Sequence, residues 1–215
     1  MLTIAPNIMV GEGVKELLDK RKAEEAEVLR QKDIPWQEQV AIREMPIKVK
    51  PFQHQVAGYN VVGSIFGLWG TPRSAGAGLY MEQGTGKTLT TIAIAGRMFL
   101  DGIIKKMLVV APASVVPVWP SEFGSFAAFP YDIRPLEGAG SKRIAVLESW
   151  GSDPDVLQIA ALNYESTWRI DKAILKWKPD LVGESPAISS GPLCWTRETA
   201  RARYSVMQSP RCERS

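Results

Sequence analysis

Cysteine and histidine are scarce in this 215-residue chain, and long hydrophobic runs are missing. The two cysteines, Cys194 and Cys212, cannot form a disulfide framework or a cysteine metal site, so we expect a reducing, cytoplasmic setting. The single histidine, His54, is expected to be a packing residue. No apolar run approaches the roughly 20 residues of a membrane span, and the first ten residues lack the basic stretch of a signal peptide.

The chain also lacks a large excess of positive or negative charge, because its formal net charge is only +3. Such a chain has no strong basic field that would attract nucleic acid over its whole surface. A nucleic-acid partner would therefore have to bind through a local surface.

The N-terminal residues 1–47 are predicted to form a helical extension and linker. Residues 11–32 are strongly charged, with a thin apolar stripe at helical spacing, which indicates one solvated helix packed lightly on a domain. A dedicated partner-binding helix is the alternative interpretation. Prolines at positions 35, 46 and 51 favour an extended connector after the helix.

From about residue 53 onwards, short apolar strands alternate with helices. This alternation predicts right-handed βαβ units, a parallel sheet and an α/β fold. Strands are predicted at 79–81, 107–111, 156–162 and from 180, and helices at 53–66, 88–100, 141–150 and 168–176.

The stretch MEQGTGKT, residues 81–88, lies between a predicted strand and a predicted helix, and we call it the phosphate loop. Its glycines allow successive backbone N–H groups to point at one anion, and the following helix dipole favours that anion. Lys87 would reach the β- and γ-phosphates of a nucleotide, and the Thr88 hydroxyl would ligate Mg²⁺. The alternative is a glycine-rich turn that holds no ligand.

Three further stretches flank the phosphate loop, and they carry a resemblance. They are KPFQHQVAGY at 50–59, LVVAPASVVPVWPSEF at 108–123 and IAALNYESTWRI at 159–170. In this order, the four stretches resemble the first RecA-like domain of superfamily 2 helicase-like ATPases of the Swi/Snf type, and especially its small phage and bacterial members. The resemblance covers residues 48–182 and implies a three-layer RecA-like P-loop domain. Met81 stands where the general P-loop pattern has glycine, a departure that helicase-type ATPases tolerate.

The resemblance also implies roles for individual residues, with ATP and Mg²⁺ as cofactors and DNA as a weak, sequence-independent partner. Gln55 is expected to read adenine, with Gln53 as the fallback, because a glutamine amide offers both a donor and an acceptor. Trp119 is expected to be a core anchor rather than a base-stacking platform. The other implied ATP-binding residues are Gly84, Thr85, Gly86, Lys87 and Thr88, and the implied DNA contacts are Pro112, Ser114, Asn163 and Tyr164.

Hydrolysis requires an acidic pair at the end of a strand, and the sequence lacks it where the family has it. The stretch PDLV at 179–182 fits the family, but GESP follows where two apolar residues and Asp-Glu are expected. Glu184 is the only nearby acid that could replace the glutamate, and Asp180 stands at the wrong end of the strand. A second RecA-like lobe, with its arginine finger, is also missing from the sequence.

The function predicted at this point is the ATP-binding lobe of a DNA-dependent ATPase or helicase-like translocase in which hydrolysis is lost. One alternative is a non-catalytic fragment that binds nucleotide or nucleic acid. Another is a different P-loop phosphotransferase, such as a nucleotide kinase.

The last 33 residues, 183–215, differ in character from the rest of the chain. They contain five arginines and no lysine, both cysteines, and no helix or strand period. We expect an irregular tail that does not complete the sheet. The change at Val182 suggests a frameshifted or truncated product of a longer helicase-like gene.

Overall fold

The computed structural model describes residues 38–72, 74–151 and 153–184, the backbone of the strand 193–196, and scattered residues between 15 and 35. Every described residue between 15 and 30 is helical, in agreement with the predicted charged helix. None of the helices in the described residues is both long and apolar enough to cross a membrane.

A six-stranded sheet forms the centre of the fold, with the order β1-β6-β5-β2-β4-β3. Strands β3, β4, β2 and β5 pair in parallel, while β6 pairs antiparallel with both β5 and β1. All the strands except β6 therefore run in the same direction. The strands are β1 (Gly76–Leu79), β2 (Lys106–Ala111), β3 (Tyr131–Pro135), β4 (Leu157–Asn163), β5 (Leu181–Glu184) and β6 (Leu193–Thr196).

Helices cover both faces of the sheet, and the strand residues alternate between two apolar cores. Met107 and Val109 of β2 face the core that is shared with the first three helices, whereas Leu108 and Val110 face the core shared with the fourth and sixth. The predicted three-layer α/β fold is thus confirmed. The helices are α1 (Gln53–Phe66), α2 (Lys87–Leu100), α3 (Val118–Phe126), α4 (Gly140–Ser149), α5 (Tyr164–Thr167) and α6 (Asp171–Trp177).

Four elements, the helices α3 and α5 and the strands β3 and β6, were not predicted from the sequence. Helix α3 begins directly after Pro117 and contains Pro120 in its first turn, where proline costs no helical hydrogen bond. Strand β3 lies at the sheet edge and is only half-buried along its length, so it lacks the continuous apolar run of the central strands.

The tail contradicts one prediction, because residues 193–196 do join the sheet. Strand β5 continues past Val182 to Glu184, and β6 then lies between β5 and β1, with Cys194 opposite both Glu184 and Gly78. Backbone hydrogen bonds require no side-chain period, and four residues are too short a stretch for a period to show. The rest of the predicted irregular tail lies outside the described residues.

Candidate functional site

The phosphate loop occupies the carboxyl edge of the parallel strands, between the end of β1 and the start of α2 at Lys87. Gly84 and Gly86 have φ angles of 78° and 85°, a left-handed conformation that favours glycine. A Cβ atom on Gly86 would lie 2.1 Å from Nε2 of Gln55, so any side chain at this position would displace the Gln55 amide. The strand–loop–helix arrangement predicted from the sequence is therefore present.

Two side chains of the loop, those of Thr85 and Lys87, bond to the loop itself. Lys87 Nζ donates to the carbonyl oxygens of Met81 and Glu82, both at 2.9 Å. The Thr85 hydroxyl donates to the Glu82 carbonyl at 2.6 Å. The Thr88 hydroxyl, at the start of α2, makes no hydrogen bond with any residue that the structure describes.

These donors fit a polyphosphate, because an ammonium group, backbone N–H groups and a helix N-terminus converge on one loop. The protein offers less to a metal ion: the described residues contain no group of three or more His, Cys, Asp or Glu side chains placed to hold one. A Mg²⁺ ion that arrived with a nucleotide would find the Thr88 hydroxyl here and would depend on phosphate oxygens and water for its other ligands.

Two side chains from the start of α1 hold the phosphate loop. Gln55 Nε2 donates to the Thr85 carbonyl at 3.0 Å, while Gln55 Oε1 accepts from the Phe52 N–H at 3.0 Å. His54 Nε2 lies 2.8 Å from the same Thr85 carbonyl, and the His54 ring stacks on Phe52. The sequence predicted a packing residue at position 54 and gave no indication of this contact, although a position next to Gln55 placed His54 near the loop. Gln53, the fallback for adenine, is exposed.

The residues expected to contact DNA come together on the neighbouring strands. Ala111 and Asn163 are partners in the β2–β4 register, so the turn after β2 and the turn after β4 lie side by side. The Pro112 carbonyl accepts the N–H groups of residues 115 and 116, which leaves Ser114 exposed at the tip of its turn. Tyr164 packs partly into the core beneath α4 and α6.

Asn163 already has a partner, because its amide donates to the Glu165 carboxylate at 2.6 Å. The backbone N–H of Glu165 and this amide lower the pKa of the Glu165 carboxyl group. A phosphate that bound Asn163 would compete with an ionised carboxylate. Trp119 is 3% exposed and packs against Phe123, so it is a core anchor as expected.

Neither Asp180, just before β5, nor Glu184, the last residue of β5, faces the phosphate loop. Asp180 accepts the N–H groups of Lys105 and Lys106 at the amino end of β2, where its role is structural. Glu184 ends β5 at the carboxyl edge of the sheet. Because β6 lies between β5 and β1, two interstrand spacings, about 10 Å in all, separate Glu184 from Gly78 of β1. By strand alternation it shares a face with Val182, which packs on the α4 and α6 side, whereas Lys87 begins α2 on the opposite side.

A cleft of about 230 Å³ opens at the same carboxyl edge, between the ends of β2, β3 and β4. It lies next to the turns that contain Ser114 and Asn163. Its lining residues are Ala113, Val116, Leu136, Glu137, Gly138, Arg143 and Asn163.

Part of the chain is similar in sequence to chromodomain-helicase proteins. No family model matches the chain. Chromodomain-helicase-DNA-binding protein 7 is 28% identical in Gallus gallus and 29% identical in Homo sapiens, each over 139 residues. These residues make up 65% of this chain and 4% of each relative, so the chain spans a small fraction of their length.

Among solved structures, the chain is similar to the Sulfolobus solfataricus SWI2/SNF2 ATPase core in complex with dsDNA. The sequence identity is 23%, and the match covers 61% of this chain and 25% of that chain, with a TM-score of 0.48.

Proposed function

We propose that this chain is the nucleotide-binding lobe of a Swi/Snf-type, helicase-like ATPase, and that it binds ATP with Mg²⁺ and, weakly, DNA. One observation carries the proposal: a strand–loop–helix unit in which two left-handed glycines precede Lys87 and Thr88. The 139-residue similarity to chromodomain-helicase-DNA-binding proteins supports it.

In this proposal, the phosphate loop binds the nucleotide by an exchange of partners. The Lys87 ammonium leaves the carbonyls of Met81 and Glu82 and bonds to β- and γ-phosphate oxygens, which are stronger acceptors because they are charged. The N–H groups at the start of α2 point at the same anion. Bound Mg²⁺ would supply charge neutralisation of the phosphates, and Thr88 would offer it a hydroxyl ligand.

Gln55 would serve both the loop and the adenine base. In this structure its amide links Thr85 to Phe52, so it sits where the start of α1 meets the phosphate loop. Beyond these two bonds the amide keeps one N–H and one oxygen lone pair, so it could read adenine while it holds the loop.

DNA would bind across the adjacent turns through its backbone. Ser114 and the N–H groups of the turn after Pro112 would donate to phosphate oxygens, together with Asn163 and Tyr164 from the turn after β4. Contacts of this kind carry no base readout, so the affinity would be weak, sensitive to salt and indifferent to sequence.

Nucleotide binding can be tested by calorimetry with ATP and Mg²⁺. Lys87→Ala should weaken binding about 10- to 150-fold, because it removes charge-assisted hydrogen bonds worth ~1.5–3 kcal/mol. Lys105→Ala, at the opposite edge of the sheet, removes the same charge and should bind ATP as the wild type does. Equal affinity in the Lys87→Ala and wild-type proteins would show that the loop is only a turn.

A non-catalytic nucleotide-binding module is the second candidate function. The position of Glu184 favours this non-catalytic function. Glu184 is the acid that the sequence predicted to polarise water, and it lies on the sheet face opposite α2. Both candidates require ATP binding, and the weak, salt-sensitive DNA binding that only the first candidate requires separates them.

A further inference from the structure

A segment before α1 crosses three helices on one face of the sheet, and we call its residues, 40–48, the strap. Asn60 of α1 holds the strap with both ends of its side-chain amide. Its Oδ1 accepts the Ile42 N–H at 3.0 Å, and its Nδ2 donates to the Val40 carbonyl at 2.8 Å. Asn60 is only 3% exposed, and a buried amide that lost these bonds would be costly, so the strap is firmly attached to α1.

The strap continues over α2 and α3. Arg43 Nη1 bonds at 2.8 Å to the carboxylate of Asp101, the residue that ends α2. Pro46 packs against α2 so closely that a Cβ atom on Gly96 would lie 2.8 Å from its Cγ atom. Lys48 Nζ donates to a backbone carbonyl of α3, also at 2.8 Å. The strap therefore bridges α1 and α2 before it reaches α3.

The same two helices, α1 and α2, border the phosphate loop. Helix α2 begins at Lys87. The first turn of α1 contributes His54 and Gln55, which both contact the Thr85 carbonyl. Tyr59 lies one helical turn after Gln55 on the same buried side of α1, and its hydroxyl donates to a strap carbonyl at 3.2 Å. A shift of α1 relative to α2 would therefore move the loop contacts and the strap contacts together.

We propose that the strap positions the nucleotide site and that Asn60 is the main positioning residue, acting through α1 and not by contact with the nucleotide. The inference rests on the proposed function, because it concerns the affinity for ATP. Coupling between two sites is reciprocal, so a strap that favours ATP binding is itself stabilised by bound ATP. Displacement of the strap would lower the affinity for ATP, which makes this segment a regulatory element of the site.

Two matched variants separate positioning from general loosening. Arg43→Gln and Lys48→Gln each remove one charge and one 2.8 Å contact of an exposed strap side chain, but only Arg43 holds the strap to a helix that borders the phosphate loop. Calorimetry with ATP and Mg²⁺ should show roughly 2- to 30-fold weaker binding by Arg43→Gln and wild-type affinity in Lys48→Gln. Asn60→Asp, which removes the donor to Val40 and keeps an acceptor for Ile42, should weaken ATP binding within the same range.

Amide hydrogen exchange supplies a readout that a purely structural strap would not move. Saturating ATP and Mg²⁺ should slow exchange of the Ile42 amide severalfold in the wild-type protein, although this amide bonds to Asn60 and not to the phosphate loop. The same slowing should persist in Lys48→Gln and be smaller in Arg43→Gln.

Equal losses of ATP affinity in Arg43→Gln and Lys48→Gln would indicate general loosening and overturn the inference. Normal affinity in both Arg43→Gln and Asn60→Asp, with an Ile42 amide that does not respond to ATP, would also overturn it, because direct packing of α1 on α2 would then set the loop alone. Both results leave the proposed function in place, whereas wild-type protein that binds no ATP would remove the proposed function and this inference together.

Discussion

The Thr85 carbonyl oxygen is a point of contact between the phosphate loop and helix α1. His54 and Gln55 both contact it, at 2.8 and 3.0 Å. Gly86 follows directly, and only a residue without a side chain leaves room for the Gln55 amide beside it. The shape of the loop therefore depends on residues more than 25 positions earlier in the chain.

Replacing Gly86 with alanine tests this attachment. The new Cβ would clash with Gln55 Nε2 and would also impose a left-handed conformation on a non-glycine residue. We expect Gly86→Ala to weaken ATP binding at least tenfold by calorimetry and to lower the free energy of unfolding by ~1–3 kcal/mol in urea.

Gly102→Ala is the matched control, because its φ angle is 70° and no atom lies within 4 Å of the added Cβ. It should show the conformational cost alone, about 1 kcal/mol of unfolding free energy, with normal ATP affinity. Normal ATP binding by Gly86→Ala would mean that the attachment to Gln55 does not shape the site.

Among the strands, β6 has the least expected role. In the described sheet it is the only hydrogen-bonded neighbour of β1, the strand that leads into the phosphate loop. It also covers the free side of β5. Four residues of the tail therefore join β1 to the four parallel strands β3, β4, β2 and β5.

Replacing Cys194 with proline should disrupt the pairing of β6 with β1 and β5. Cys194 lies opposite both Gly78 and Glu184, and proline removes a backbone donor in the middle of the sheet. We expect Cys194→Pro to lose hydrogen-exchange protection in 76–79 and to bind ATP more weakly, while protection in β2 and β4 persists. Cys194→Val keeps the donor and a strand-forming side chain, so it should behave as the wild type. Unchanged protection of β1 in Cys194→Pro would show that α1 and α2 alone hold that strand.

The whole molecule separates its candidate catalytic groups between two faces of one sheet. Lys87 and Thr88 begin a helix on one face, and Glu184 shares the other face with Val182. Charge neutralisation and water activation would therefore not converge on the same phosphate. We expect from this arrangement a chain that binds nucleotide without efficient turnover.

We expect the purified chain to hydrolyse ATP far below ~1 s⁻¹ and to show no stimulation by DNA. An arginine finger, which would have to come from outside this domain, accounts for ~10³–10⁵ in rate in related chemistry. A coupled ATPase assay with and without duplex DNA measures this, and Glu184→Gln should leave any residual rate unchanged. Turnover of ~1 s⁻¹ or more that rises with DNA, or its loss in Glu184→Gln, would show that the acid does reach the nucleotide.

The sequence by itself determined the features that depend on neighbouring residues. The glycines of the phosphate loop, the alternation of strands and helices, and the burial of Trp119 follow from local spacing and apolar periodicity, and the structure agrees. Asp180 was also expected at the wrong end of its strand, and it is there. These properties arise within windows of 10 to 20 residues, where pattern and conformation are directly linked.

Only the tertiary structure decided which distant residues meet. It placed β6 beside β1, across more than 100 residues of chain, and it turned Glu184 towards the face opposite α2. It also brought His54 to the Thr85 carbonyl. Strand order and pairing direction are set by packing and backbone hydrogen bonding between segments remote in sequence, and no local pattern records them.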